Sequence, residues 1–227
     1  MTVPNGRYAL TLLALWFLLW LPLAFDPFDR NDWLLENALL VAAIALLAVT
    51  WRPFPLSRTS YTLIFVFLCL HTIGAHYTYA QVPYDAWSQR VLGVPLDAFL
   101  GWERNNFDRV VHCSYGLLLA YPIRELFLRV AAVKGFWGYF LPLDLTMSTS
   151  ALYEIIEWAA ALLFGGGLGA AFLGTQGDEW DAQKDMALAS LGALIAMSVT
   201  AAFNAATRRD FAREWLDSLR VKQRTPL

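Results

Sequence analysis

The residues of this chain best suited to chemistry are three histidines and several carboxylates that fall in or beside apolar segments. His112 follows Asp108 by four positions, and Glu157 follows Glu154 by three, so each pair shares one face of a helix. Such groups at membrane depth can bind a divalent metal, act as acid and base on a substrate, or relay protons or ions. The sequence therefore predicts a polar site and leaves its reaction open.

Two overlapping sets of residues are candidates for this site. The candidate catalytic residues are Asp108, His112, Glu154, Glu157, Asp181 and Asp185. The candidate metal ligands are His71, His76, His112, Asp108, Glu157 and Asp185. Their mixed nitrogen and oxygen donors suit zinc, iron or manganese. The two histidines of the third apolar segment are five positions apart, about 140° around a helix, so both reach one centre only if that helix is distorted.

The composition is that of a membrane protein. Of the 227 residues, 58% are hydrophobic and only 16% are charged, whereas about a quarter of the residues of a soluble domain are charged. The net charge of −2 argues against a nucleic-acid partner, because no strongly basic surface is available to meet phosphates. The expected partners are membrane lipids. Two cysteines are too few for a disulfide framework.

Six apolar segments approach the length of a membrane span, which is about 20 residues. They cover residues 8–25, 34–51, 59–80, 108–123, 135–164 and 186–207. The first lacks a convincing signal-peptidase site, so we expect it to be retained as a helix. The pattern predicts an all-α, polytopic membrane bundle of about six transmembrane helices over residues 1–207. A cytoplasmic tail that is amphipathic and basic follows over residues 208–227.

The orientation is predicted from the distribution of Lys and Arg between the two sets of loops. With the N-terminus inside, the inner set holds twelve: Arg7, Arg52, Arg58, Arg124, Arg129, Lys134, Arg208, Arg209, Arg213, Arg220, Lys222 and Arg224. The outer set holds five: Arg30, Arg90, Arg104, Arg109 and Lys184. The bias favours a bacterial inner-membrane protein with both termini in the cytoplasm. The histidines and most of the candidate carboxylates then fall in its periplasmic half.

Two of the outer loops are unusual. The loop 81–107 is interrupted by prolines and contains apolar residues, which indicates a short helix lying at the membrane surface. The loop 165–177 contains six glycines, which indicates a mobile turn, with an anion-binding nest of backbone amides as the alternative.

Four sequence strings resemble a known family. They are His71–Tyr77, Asn106–His112, Tyr153–Trp158 and Gly177–Met186. Together they resemble the YjdF-like family of bacterial inner-membrane proteins, and the likeness covers nearly the whole chain. The function of that family is unknown, so the resemblance implies an inner-membrane location and a multi-helix topology.

A fainter likeness extends to VanZ-like membrane proteins. Their pattern has an Asp and a His four positions apart, a Glu in the next helix, and a late Asp followed by Asn and Gly. Asp108 and His112 match the first pair, and Glu154 or Glu157 matches the next element. Asp185 matches the late Asp and Gly192 the Gly, but Ala189 occupies the Asn position.

Three functions compete. The first is a metal-dependent enzyme that acts on lipid or lipid-linked headgroups of the envelope at the periplasmic face. The second is a small proton- or ion-coupled transporter, which would need a polar path to the inner face. The third is a non-enzymatic membrane scaffold in which the polar cluster holds the helices together.

Overall fold

A computed structural model describes residues 5–166, 169 and 175–222 of the chain. Its helices are α1 (Gly6–Leu23), α2 (Arg30–Thr50), α3 (Arg58–His76), α4 (Tyr84–Leu92), α5 (Leu96–Leu100), α6 (Phe107–Val130), α7 (Trp137–Phe164), α8 (Asp181–Thr207) and α9 (Phe211–Ser218). The described residues contain no strand, so the predicted all-α class is confirmed. The structure does not describe the start of the predicted membrane domain (1–4) or the end of the predicted tail (223–227). Most of the glycine-rich loop (167–168 and 170–174) also lies outside the described residues.

Four helices, α1, α2, α3 and α8, are long and apolar enough to cross a membrane. Helices α6 and α7 have 24 and 28 residues, or about 36 and 42 Å at 1.5 Å per residue. They have the length of a span but carry more polar residues along their course. The membrane character of the fold is confirmed, and the count of six spans stays a prediction.

Several helices begin earlier than their apolar runs suggest. Helix α2 starts at Arg30 because the Asp29 carboxylate accepts the backbone N–H groups of Asn31 and Asp32 at 2.8 and 3.1 Å, which caps the helix. Helix α8 starts at Asp181, five residues before the apolar run. Asp32 of α2, and Asp181 and Asp185 of α8, precede the predicted apolar segments and nevertheless lie within the first two turns of these helices.

Helix α6 occupies the centre of the bundle, in contact with α3, α7 and α8, while α3 joins α1 and α2 to this group. The crossing of α6 and α8 is the closest contact. A Cβ atom on Gly116 would lie 1.8 Å from the carbonyl oxygen of Ala189, and one on Gly192 would lie 2.1 Å from that of Cys113. Small residues at such a crossing let the two backbones touch.

The two described ends of the chain lie at the same end of the bundle. The Asn5 side chain donates to the carbonyl of Leu56, and the backbone N–H of Ser57 donates to Glu125 near the end of α6. The backbone N–H of Gly135 donates to Glu214 of α9 at 3.1 Å. The last helix is thus fastened to the end of the bundle at which α1 begins.

Helix α9 packs against the bundle. Phe211 and Trp215 lie against Tyr139 of α7, with ring centroids 6.2 and 5.5 Å from it. The backbone N–H of Phe136 and the indole N–H of Trp137 both donate to Ser218. The amphipathic helix predicted in the tail is present, and it uses its apolar face on other helices of the same chain.

At the opposite end, the loop between α3 and α6 holds two short helices where the sequence predicted one. The Tyr84 hydroxyl donates to Asp97 at 2.6 Å and links α4 to α5. Val91 and Phe99 are 81% and 75% exposed. Exposed apolar groups on short helices at the end of a membrane bundle suit the predicted interfacial position.

Candidate functional site

Three of the predicted site residues come together in the first two turns of α6 and α8. Asp108, His112 and Asp185 each offer one donor atom, and these atoms all lie within 4.8 Å of one another. The Nε2 atom of His112 is 3.4 Å from Oδ1 of Asp108. Asp185 is 2% exposed, and its Oδ1 atom is buried without a hydrogen-bond partner among the described residues. We call these three residues the α6–α8 cluster.

The close crossing of α6 and α8 holds this cluster in position. Asp108, His112 and Gly116 follow one another at intervals of four residues, so they lie along one face of α6. On α8, Asp185 and Ala189 are related in the same way. Because Gly116 touches Ala189, the preceding turns of the two helices are brought face to face, and those turns carry His112 and Asp185.

Glu154 of α7 approaches the same histidine from its other side. Its Oε1 atom is 3.7 Å from Nδ1 of His112 and has no hydrogen-bond partner in the part of the chain that the structure describes. His112 therefore lies between two carboxylates, Asp108 on Nε2 and Glu154 on Nδ1. At 3.7 Å the Glu154 carboxylate makes no hydrogen bond to the ring, so it acts on His112 through its charge.

Asp181 is engaged in ion pairs at the rim of the site. Its Oδ1 atom is 2.8 Å from Arg104 and 3.4 Å from Arg109. Neighbouring Asp178 pairs with Arg109 and with Lys184. The Lys184 ammonium, with the backbone N–H of Trp180 and the Arg109 guanidinium, lowers the pKa of Asp178 to about 2. The two arginines occupy Asp181, which makes it a structural residue of the rim in this geometry.

A cavity of about 270 Å³ lies beside the α6–α8 cluster, bounded by α2, α3, α6 and α7. Asp108 and His112 belong to both the cluster and the cavity wall. The other polar residues of the wall are Asp32, Glu36, His71, Thr78, Tyr79, Tyr115, Thr149, Ser150, Tyr153 and Glu157.

Glu36 of α2 forms a second polar centre in this cavity. It is 3% exposed, and the hydroxyl oxygens of Tyr79 and Tyr153 each lie 3.4 Å from its Oε2 atom. The Tyr79 hydroxyl is also 2.6 Å from Nδ1 of His71, and the other ring nitrogen of His71 is 3.3 Å from the Glu36 carbonyl oxygen. These groups form a connected network from α2 through α3 to α7.

Of the remaining predicted residues, His71 and Glu157 lie at the cavity and His76 lies beside the end of α1. His71 and Glu157 line the cavity. His76 does not, because its Nδ1 atom lies 2.8 Å from the carbonyl oxygen of Leu23, at the end of α1. It stacks edge-on against Tyr77 with ring centroids 4.5 Å apart. The five-residue spacing thus separates the two histidines, and the helix stays regular through Gly74.

Sequence reasoning missed the contribution of α2. Asp32 and Glu36 are four positions apart and therefore share a helix face, which was a usable signal. The predicted second span began at residue 34, so Asp32 was left in the loop before it. Asp32 is in fact 1% exposed, and its Oδ1 atom has no partner among the described residues. Tyr79 and Tyr153 could not be recognised as site residues from the sequence, since aromatic residues are frequent in this chain.

Comparisons with known proteins give two matches. The family model described as "Predicted membrane protein (DUF2238)" matches residues 8–206. The Inner membrane protein YjdF of Escherichia coli strain K12 is 39% identical over 184 residues, which cover 81% of this chain and 84% of that protein. No solved structure matches. These matches bear out the YjdF-like resemblance and lend no support to the fainter likeness to VanZ-like proteins.

Proposed function

Since the chain belongs to the DUF2238 family of predicted membrane proteins and is an inner-membrane protein, we propose that it is a metal-dependent enzyme of the envelope. In this proposal the α6–α8 cluster binds one divalent cation, zinc, iron or manganese. The enzyme acts on a lipid or lipid-linked headgroup that enters the adjoining cavity.

The buried, unpartnered Oδ1 atom of Asp185 is the observation that carries the proposal. A carboxylate oxygen without a partner costs several kcal/mol when it is held away from water. A cation between Asp185, Asp108 and His112 would supply the missing partner. The donor atoms within 4.8 Å give one nitrogen and two oxygens, a set that leaves room for water or substrate.

The chemistry follows from the groups around that position. A bound cation lowers the pKa of a coordinated water and polarises a phosphoryl or carbonyl oxygen. Glu154 would stabilise positive charge on His112 from the Nδ1 side. Glu157 on the cavity wall would accept a proton from water as the water oxygen bonds to the phosphoryl or carbonyl centre, and would pass that proton to the leaving group as its bond breaks. His71 belongs to the network around Glu36 and would hold substrate instead of metal.

A topology of six spans with both termini in the cytoplasm accompanies this proposal. The support is the excess of Lys and Arg at the end of the bundle where α1 begins. The cavity then lies toward the periplasmic leaflet, since its wall includes the first turns of α2 and α6. Headgroups of that leaflet are the substrates within reach.

The test uses the full-length protein in nanodiscs made from total bacterial lipid. We expect about one divalent ion per chain after purification, and a change in one class of lipid headgroup over time, detected by mass spectrometry. Asp185→Asn should lose both. Asp144→Asn is the matched control, because Asp144 lies on α7 but is exposed and outside the cavity wall.

The two alternatives predict different results. After EDTA treatment of both proteins, a scaffold should still lose stability when Asp185 is changed, whereas the metal-free form of the proposed enzyme should keep or gain stability, because Asn removes a buried charge. Absence of bound metal and of any lipid change in the wild-type protein would overturn the proposal. Proteoliposome flux that depends on Glu154 would favour the transporter.

A further inference from the structure

The wall of the cavity carries an excess of acidic groups. Asp32, Glu36, Asp108 and Glu157 contribute four carboxyl groups. The basic groups of the wall are the imidazoles of His71 and His112, and no lysine or arginine is among its described residues. Because Asp32 and Glu36 are only 1% and 3% exposed, their carboxyl groups require protons or a bound cation to balance their charge.

Asp32 indicates what kind of group could balance the negative charge of the wall. The residue is 1% exposed and lies on the cavity wall, yet its Oδ1 atom accepts no hydrogen bond from the described residues. The hydroxyl of Ser150, on the wall provided by α7, is also buried without a partner. An occupant that donates hydrogen bonds would satisfy both groups. A metal ion is less suitable at this end, since two tyrosine hydroxyl groups already lie 3.4 Å from Oε2 of Glu36.

Aromatic rings complete the wall. Phe67, Tyr79, Tyr115 and Tyr153 all line the cavity. The Tyr115 hydroxyl lies 2.6 Å from the Thr149 hydroxyl, so it already has a hydrogen-bond partner within the wall. Rings with a negative face attract organic cations, and carboxylates beside such rings are the usual surroundings of a bound ammonium group.

The volume limits the size of the occupant. About 270 Å³ lies just below the range of about 300–1,000 Å³ that is typical of small-molecule sites. A headgroup fits this space, whereas a whole lipid or a polymer does not. Leu39 lines the cavity and is 40% exposed, so this part of the wall is not enclosed by other helices.

We propose that the α2 side of this cavity, formed by Asp32, Glu36, Tyr79 and Tyr153, is a binding site for a small organic ammonium group. The amine donates hydrogen bonds to the Asp32 and Glu36 carboxylates and lies against the tyrosine rings. The inference rests on the proposed function, because it names amine-bearing headgroups as the substrate class of that enzyme. The binding itself is independent of the metal.

The experiment measures binding of ethanolamine by calorimetry to the full-length protein in nanodiscs that contain only phosphatidylglycerol. EDTA removes the metal, and potassium chloride at equal ionic strength is the reference cation. We expect saturable heat with ethanolamine and none with potassium. Glu36→Gln and Asp32→Asn should each weaken binding at least tenfold, while Asp144→Asn leaves it unchanged. Glu36→Gln keeps an acceptor oxygen for both tyrosines, so the fold should persist, and thermal unfolding checks this.

A second series distinguishes the source of the amine. Nanodiscs with phosphatidylethanolamine should compete with free ethanolamine if lipid headgroups enter the cavity, and should not compete if the ligand is a free amine. Either result supports an ammonium site. Heat equal to that of potassium, or unchanged binding in both variants, overturns it.

The two proposals can fail separately. Asp185 belongs to the α6–α8 cluster and is absent from the cavity wall. Asp185→Asn should therefore lose metal and keep amine binding, whereas Asp32→Asn should lose amine binding and keep metal. Normal metal content without amine binding overturns the further inference alone.

Discussion

The crossing of α6 and α8 offers a sharp test of how packing positions the α6–α8 cluster. In Gly116→Ala the new methyl group would lie 1.8 Å from the carbonyl oxygen of Ala189 and 2.6 Å from the backbone nitrogen of Ala193. Real Cβ atoms stay at least 3.0 Å from such neighbours. The two backbones must therefore separate by about 1.2 Å, and neither can yield by a change of rotamer.

The separation of the two helices should lower the free energy of unfolding and displace the metal ligands of the α6–α8 cluster. Overpacking of this kind costs about 1–3 kcal/mol. Metal sites tolerate errors of about 0.2 Å in ligand position, so a shift several times larger, one turn away from His112 and Asp185, should weaken metal binding at least tenfold. The assays are thermal unfolding in detergent and metal content after dialysis against limiting chelator.

Gly138→Ala is the matched control. Its Cβ would approach only the Cδ2 atom of Leu128, at 3.2 Å, which a side chain can accommodate. The gain in helix propensity is up to about 1 kcal/mol for Gly116, in the interior of α6, and smaller for Gly138, in the first turn of α7. A lower stability of Gly116→Ala than of Gly138→Ala is therefore attributable to the crossing. Equal stability and equal metal content in the two variants would refute the argument that this contact positions the cluster.

Three further predictions concern the two ends of the bundle. Glu125→Gln should lower the free energy of unfolding by about 1–3 kcal/mol, because the carboxylate accepts from the backbone N–H of Ser57, the residue that caps the start of α3, at 3.0 Å; chemical denaturation measures this, and an unchanged midpoint would contradict it. The folded-state pKa of Asp178, about 2, lies below its ordinary value of 3.8. The stability it contributes should be complete above about pH 4 and disappear as the pH falls toward 2, and Asp178→Asn should remove that part of the acid dependence in a pH series of melting temperatures. Trp215→Ala should loosen α9 from Tyr139 and speed tryptic cleavage in the tail; wild-type cleavage rates would show that the contact does not hold the helix.

The sequence predicted the helical class and the regions of the long helices, because long apolar runs leave few alternatives in a membrane. It was less successful at helix ends. The polar first two turns of α2 and α8 contain Asp32, Asp181 and Asp185, and a search for apolar residues cannot recognise them as helical. Those turns supply much of the candidate site.

Within the site, pairs on one helix were easier to predict than contacts between helices. The spacing of Asp108 and His112 follows from helix geometry alone. The approach of His112 to Asp185, within 4.8 Å, depends on the depth at which α6 and α8 cross, which Gly116 determines through its missing Cβ. The pairing of Asp181 with Arg104 depends on a loop conformation, and no local pattern encodes it.

The metal coordination of the α6–α8 cluster is the most direct test of the account. Zinc is a suitable probe, since it binds nitrogen and oxygen sites more tightly than iron or manganese. X-ray absorption at the zinc edge of the loaded, full-length protein should show one imidazole together with oxygen donors at about 2.0–2.2 Å, and the imidazole signal should vanish in His112→Ala. Zinc that is not retained, or retained without imidazole scattering, would contradict the claim that Asp108, His112 and Asp185 form one centre.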